Sequence, residues 1–83
     1  MARRDTYNYS LMSGRRTVYK GITNDPEARH DEHLDDGKRF THMVIEGPPK
    51  ARSVARQREV EDLATYRRNH GGWNPQYNFR RDG

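Results

Sequence analysis

Glycine and proline cut this chain into pieces that leave room only for short strands and two helices. The breaks stand at Ser13-Gly14, Asp25-Pro26, Gly37, Gly47-Pro48-Pro49 and Gly71-Gly72. Each belongs to a residue type that starts a turn or bounds a helix. Residues 6–12 and 17–23 mix aromatic and β-branched side chains around the first break, so 6–23 reads as a β-hairpin. In register, its Tyr9 and Tyr19 share one face. Asp25 is the expected N-cap of a first helix, with Pro26 at the opening position and Gly37 as the stop. Arg29 and His33, four apart, share a face of that helix. Phe40 to Glu46 reads as a third strand. The longest element is a helix over Ser53 to His70, closed by Gly71-Gly72. Val60, Leu63, Ala64 and Arg67, continued by Arg56 and Ser53, form its expected inward stripe, with Glu59 at the edge. The aromatic stretch from Trp73 to Phe79 is expected to pack back onto the rest. The order ββαβα with a packed tail predicts an α/β domain of the α+β type. Its centre is a small three-stranded antiparallel sheet flanked by helices, with residues 1–83 as a single domain.

Leu, Ile, Val and Phe together supply only 11 of the 83 residues, so any core is thin. Five Tyr and one Trp add burial that the aliphatic count misses. The net charge of +4 suits a polyanionic partner without naming one. With no cysteine there is no disulfide framework and no thiolate metal site. No apolar run approaches the length of a membrane span, and Met-Ala-Arg-Arg-Asp leads into no apolar signal segment. The expectation is therefore a soluble, cytoplasmic protein with no membrane partner. His30, His33, His42 and His70 lack the spacing of a zinc site, and no phosphate-cradling glycine loop or serine-hydrolase motif is present.

One set of side chains remains to be explained. Tyr9 and Tyr19 stand ten apart, Arg29 follows by ten and His33 by four more. Glu59 comes later in a basic helix, and Asn78 in an Asn-Pro-x-Tyr-Asn run. Each has a plainer reading: cross-strand tyrosines, a solvated arginine, a surface histidine, a helix ion pair, a turn asparagine. Together they are what phosphodiester cleavage calls for. Arg offers a permanently charged planar fork for phosphate. A carboxylate-bound Mg²⁺ supplies Lewis acidity and holds a leaving oxygen. A phenol positions or deprotonates water if its surroundings favour the anion.

In spacing and order this set resembles the GIY-YIG nuclease family over nearly the whole chain. Tyr7-Asn8-Tyr9 corresponds to the family's first motif, with only the final Tyr kept, and Tyr19-Lys20-Gly21 to its second. Gly21 through Arg29 is similar to the family's strand-to-helix passage, and Ser53 through Glu59 to its second long helix. The resemblance implies an endonuclease acting on nucleic acid, DNA before RNA, with Mg²⁺ as cofactor and Mn²⁺ as a substitute. It makes Tyr9 the general base, oriented by His33, and sets Tyr19 against the scissile phosphate or nucleophile. Arg29 would stabilise phosphate charge, Glu59 would be the metal ligand, and His42 and Asn78 would support the site. Lys20, Arg29, Arg52 and Arg56 are the expected nucleic-acid contacts. With no room for a reader domain, specificity is expected to come from a homodimer or a targeting partner protein. The rival is a module of the same fold that binds nucleic acid without cutting it.

Overall fold

A computed structural model describes residues 4–78. Strand β1 (Tyr7–Ser13) turns through Gly14, whose φ of 63° suits glycine, into β2 (Arg16–Thr23). Asp25 then caps α1 (Pro26–Asp35) by accepting from the Ala28 N–H at 3.1 Å. Strand β3 (His42–Ile45) precedes α2 (Arg52–Asn69). The sheet is antiparallel throughout, in the order β2-β1-β3. This is the small α+β fold expected from the punctuation.

The central strand sets the geometry of everything else. Tyr9 stands opposite Gly21 and Leu11 opposite Tyr19, before a register shift at Leu11/Met12. Tyr9 and Tyr19 are thus diagonal neighbours on one face, with ring centroids 6.0 Å apart. Asn8 and Ser10 point the other way, where Asn8 Nδ2 donates to the Ala55 carbonyl at 3.0 Å. α1 therefore lies against the tyrosine face through His33, and α2 against the opposite face. A two-residue antiparallel pairing of Thr6 with Lys50 (2.9 and 2.7 Å) fixes where α2 begins. The core is as thin as the composition requires. Tyr9, Leu11 and Val18 are buried together, with Tyr19, Phe40, Met43 and Tyr77 packed partly against them.

Four details differ from the sequence reading. β3 starts at His42 instead of Phe40, because the Phe40 ring turns edge-on to His30 at 5.3 Å and leaves the strand path. α2 is rotated: Val60 is 59% exposed and Ser53, Arg56 and Ala64 face solvent. Its inward stripe runs Ala55, Glu59, Leu63 and Tyr66 instead. The small Ala55, fully buried, lets the helix backbone approach Asn8 closely. Arg29, an expected nucleic-acid contact, is paired within its own helix with Glu32 at 3.1 Å. Finally, the described part of the tail folds back only in part: Pro75 is buried while Trp73 is 77% exposed, and Phe79 lies outside the described residues.

The part that does fold back closes the outer edge of β2. Tyr77 N–H donates to the Val18 carbonyl at 2.7 Å. The Asn78 side chain accepts from Lys20 N–H at 2.7 Å and donates to Lys20 C=O at 2.9 Å. An amide side chain thus pairs like a neighbouring strand, occupying groups that an open edge would offer to another chain. Among the described residues no helix is long and apolar enough to cross a membrane.

Candidate active site

Tyr9, Tyr19 and His33 meet on the α1 side of the sheet. Tyr9 Oη lies 2.7 Å from His33 Nε2, and the Tyr19 and His33 rings are 4.9 Å apart. Gly21 makes this approach possible. A Cβ there would fall 2.7 Å from Tyr9 Oη and 2.8 Å from Tyr19 Cε2. A glycine inside a strand is a recognised mark of such close packing.

Burial decides the protonation of this group. The Tyr9 hydroxyl is raised well above the ordinary phenol value, first by burial, then by Tyr19, with Arg29 opposing. The Glu59 carboxylate raises it a little further, so its charge is felt at the hydroxyl too. His33 is lowered to about 4, first by burial, then by the Lys38 and Arg29 charges. At neutral pH Tyr9 therefore keeps its proton and His33 is uncharged. An orphaned buried N–H is rarer than an orphaned ring acceptor, so the His33 proton is assigned to Nε2, which donates to the Tyr9 oxygen at 2.7 Å. On that assignment His33 Nδ1, buried and without a hydrogen-bond partner, is an orphaned acceptor.

A stability prediction follows from His33. Its unfolded value is about 6.5 and its folded value about 4, so between these the unfolded chain binds the extra proton. Stability is complete above the unfolded value and is lost as pH falls towards 4, by at most about 3 kcal/mol. Denaturant melts across that window should show the loss in wild type and a flatter profile in His33→Gln. Equal slopes would remove His33 as the cause.

The remaining site residues are distributed unevenly. Arg29 is partly exposed on α1, and its charge reaches both Tyr9 and His33. Glu59 is half-buried on the inward stripe of α2. Asn78 braces the backbone next to Tyr19. Lys20 turns to the α2 face, where its ammonium meets Ser10 Oγ at 3.1 Å and Glu46 at 3.6 Å. With its side chain 15% exposed, it is an internal contact more than an outward one. His42 stands opposite Met12, bonded to the Thr41 hydroxyl at 2.8 Å, and makes no described contact with the tyrosine cluster. Arg52 and Arg56 are exposed in the opening turns of α2. Lys38 was not singled out in the sequence, yet its ammonium sits 5.7 Å from the Tyr19 ring centroid and helps keep His33 neutral. Nothing in the sequence beyond its place after Gly37 marks it.

Tyr9 is only 1% exposed, whereas Tyr19 is partly open. A buried, protonated phenol cannot meet water directly. Among the described residues no three His, Asp or Glu side chains converge as a metal cage. Glu59, whose charge reaches the Tyr9 hydroxyl from α2 across the sheet, is the carboxylate that the resemblance assigns to Mg²⁺, an ion that keeps most of its waters and takes phosphate oxygens as ligands. In comparison with known proteins, the chain matches no family model, no curated protein and no solved structure.

Proposed function

We propose that this protein is a Mg²⁺-dependent endonuclease of the GIY-YIG type, cutting phosphodiester bonds in nucleic acid, DNA first. The observation that carries the reading is the convergence at Tyr9. Its hydroxyl bonds His33, pairs with Tyr19, and feels the charges of both Arg29 and Glu59. Four residues from three other elements influence this one hydroxyl, in the order the resemblance requires.

The residues divide the chemistry as follows. Tyr19, the more open phenol, would act as its phenolate, its oxygen taking the proton that the attacking water gives up. Tyr9 beneath it donates to the Tyr19 oxygen, which supports charge there, and His33 supports Tyr9 in turn. Arg29 takes the growing negative charge on the phosphate. Glu59 is the ligand for Mg²⁺, which when bound supplies Lewis acidity at the leaving oxygen. This moves the base role from Tyr9 to Tyr19, for reasons of burial. Tyr19→Phe should then lose more than about a hundredfold in turnover, the usual scale for a general base. Tyr9→Phe should lose less. The reverse ranking would return the base role to Tyr9.

The deciding experiment is cleavage of supercoiled plasmid, single strands, flaps and RNA with Mg²⁺, Mn²⁺ or chelator, comparing wild type with Glu59→Gln. Metal-dependent cutting that Glu59→Gln loses by at least about a hundredfold is the expected result. Binding without cutting by a folded protein would instead identify a nucleic-acid-binding module. Neither binding nor cutting would make the tyrosine cluster purely structural.

A further inference from the structure

Trp73 is the single tryptophan of the chain and, among the described residues, the most exposed large apolar side chain, at 77%. An indole left in water forgoes more burial than almost any other side chain would. The loop that carries it is nevertheless tied down. Trp73 N–H donates to the His70 carbonyl at 3.2 Å, and Gly72 N–H to the Arg67 carbonyl at 2.8 Å. Arg67 Nη1 holds Asn74 Oδ1 at 2.9 Å, and the next residue, Pro75, is buried. Gly71 and Gly72, at φ 65° and 90°, turn the chain so that the indole projects from this frame.

The surroundings state what the indole awaits. Arg67 and Arg68 end α2, and their hydrogen bonds go to neutral groups, Asn74 and the Thr65 hydroxyl. Arg16, from the start of β2, reaches the same loop through Gln76. Just before the loop, His70 stacks on Tyr66 with centroids 3.7 Å apart and planes within 7°. Cations beside a projecting aromatic face suit a ligand that is flat and apolar on one part and anionic on another. A nucleotide with an unpaired base has that make-up.

We propose that Trp73 is a stacking platform for an unpaired nucleobase, with Arg67, Arg68 and Arg16 on the adjoining phosphates. This rests on the nucleic-acid reading of the candidate active site and narrows it, giving single-stranded or flapped substrates preference over blunt duplex. A partner protein is disfavoured because the described side chains tied to this loop beside the single aromatic ring are arginines, Arg67 through Asn74 and Arg16 through Gln76.

The sole tryptophan reports its own environment, so the test needs no label. A short oligodeoxythymidylate titrated into the full chain should quench the emission, and a blunt duplex of equal charge should quench it much less. In a gel-retardation titration, which does not depend on the indole, Trp73→Ala should bind the oligodeoxythymidylate about 5- to 150-fold more weakly, the range of one base–aromatic stack. Its thermal melt should be unchanged, because the indole is exposed. Arg68→Ala should weaken binding to strand and duplex alike, with a shallower salt dependence. Emission unaltered at saturating strand would overturn the proposal, whether or not the protein cuts. So would an emission shift that depends on protein concentration alone, which would assign the patch to a second copy. Quenching by strand without cleavage of anything would keep this site and reject the nuclease.

Discussion

Arg29→Ala is expected to reduce phosphodiester cleavage by about 10³- to 10⁵-fold, the range for removing an arginine that stabilises phosphoryl charge. The fold should survive, because what is lost structurally is one exposed i,i+3 pair with Glu32, and such pairs contribute only tenths of a kcal/mol. Arg29→Lys should recover little, since an ammonium cannot reproduce the planar fork. The substitution also removes a charge that holds His33 down, so His33 in the variant should titrate nearer its ordinary value. A pH–rate profile separates the two consequences. If activity were restored simply by raising the pH, Arg29 would act through His33 and not on the phosphate. A variant within about tenfold of wild type at every pH would remove Arg29 from the site.

Gly21→Ala should be the most damaging of these changes for stability. The added methyl would enter 2.7 Å from Tyr9 Oη and 2.8 Å from Tyr19 Cε2, well inside contact distance. Neither ring is a loose end: Tyr9 is fully buried and bonded to His33, and Tyr19 is wedged against both. Overpacking of this kind costs about 1–3 kcal/mol, a large share of what so thin a core supplies. The glycine φ is not in the left-handed region, so the cost is steric. Chemical denaturation would read it as a lower midpoint at unchanged slope. A Gly21→Ala protein as stable as wild type would mean that the two rings can part freely. The pre-organisation argued for the site would then fail with it.

Much of this was legible in the sequence because the signals were local. Asp25-Pro26 fixed one helix start and Gly14 one turn, each through a backbone preference that no distant contact overrides. The diagonal pairing of Tyr9 with Tyr19 followed from strand alternation and a short turn. What could not be read was rotation and depth. In α2 the polar residues are so numerous that several stripes were nearly equivalent. The choice fell to Ala55, whose small size matters only once Asn8 lies opposite. Tyr9 and Tyr19 are the same residue type, and only the crossing of β1 through the middle of the sheet makes one buried and the other partly open. Lys20 sits between two site residues in sequence yet points to the opposite face, as the pleat requires. Trp73 shows the converse: an aromatic run suggests packing back onto the domain, yet this ring stands 77% exposed. Two glycines before it carried the information that it turns outward.

The asparagine that pairs with Lys20 also orders events in time. Tyr9 and His33 are separated by 24 residues and Lys20 and Asn78 by 58. Both loops must close, and the longer closes at greater entropic cost. A chain emerging amino-terminus first can bring Tyr9 to His33 while Asn78 has yet to be made. Until Tyr77 and Asn78 arrive, the β2 edge stays open and Tyr19 lacks the brace beside it. That late pairing therefore does two things at once: it takes up the Val18 and Lys20 backbone groups of the sheet edge, and it braces the strand that carries Tyr19.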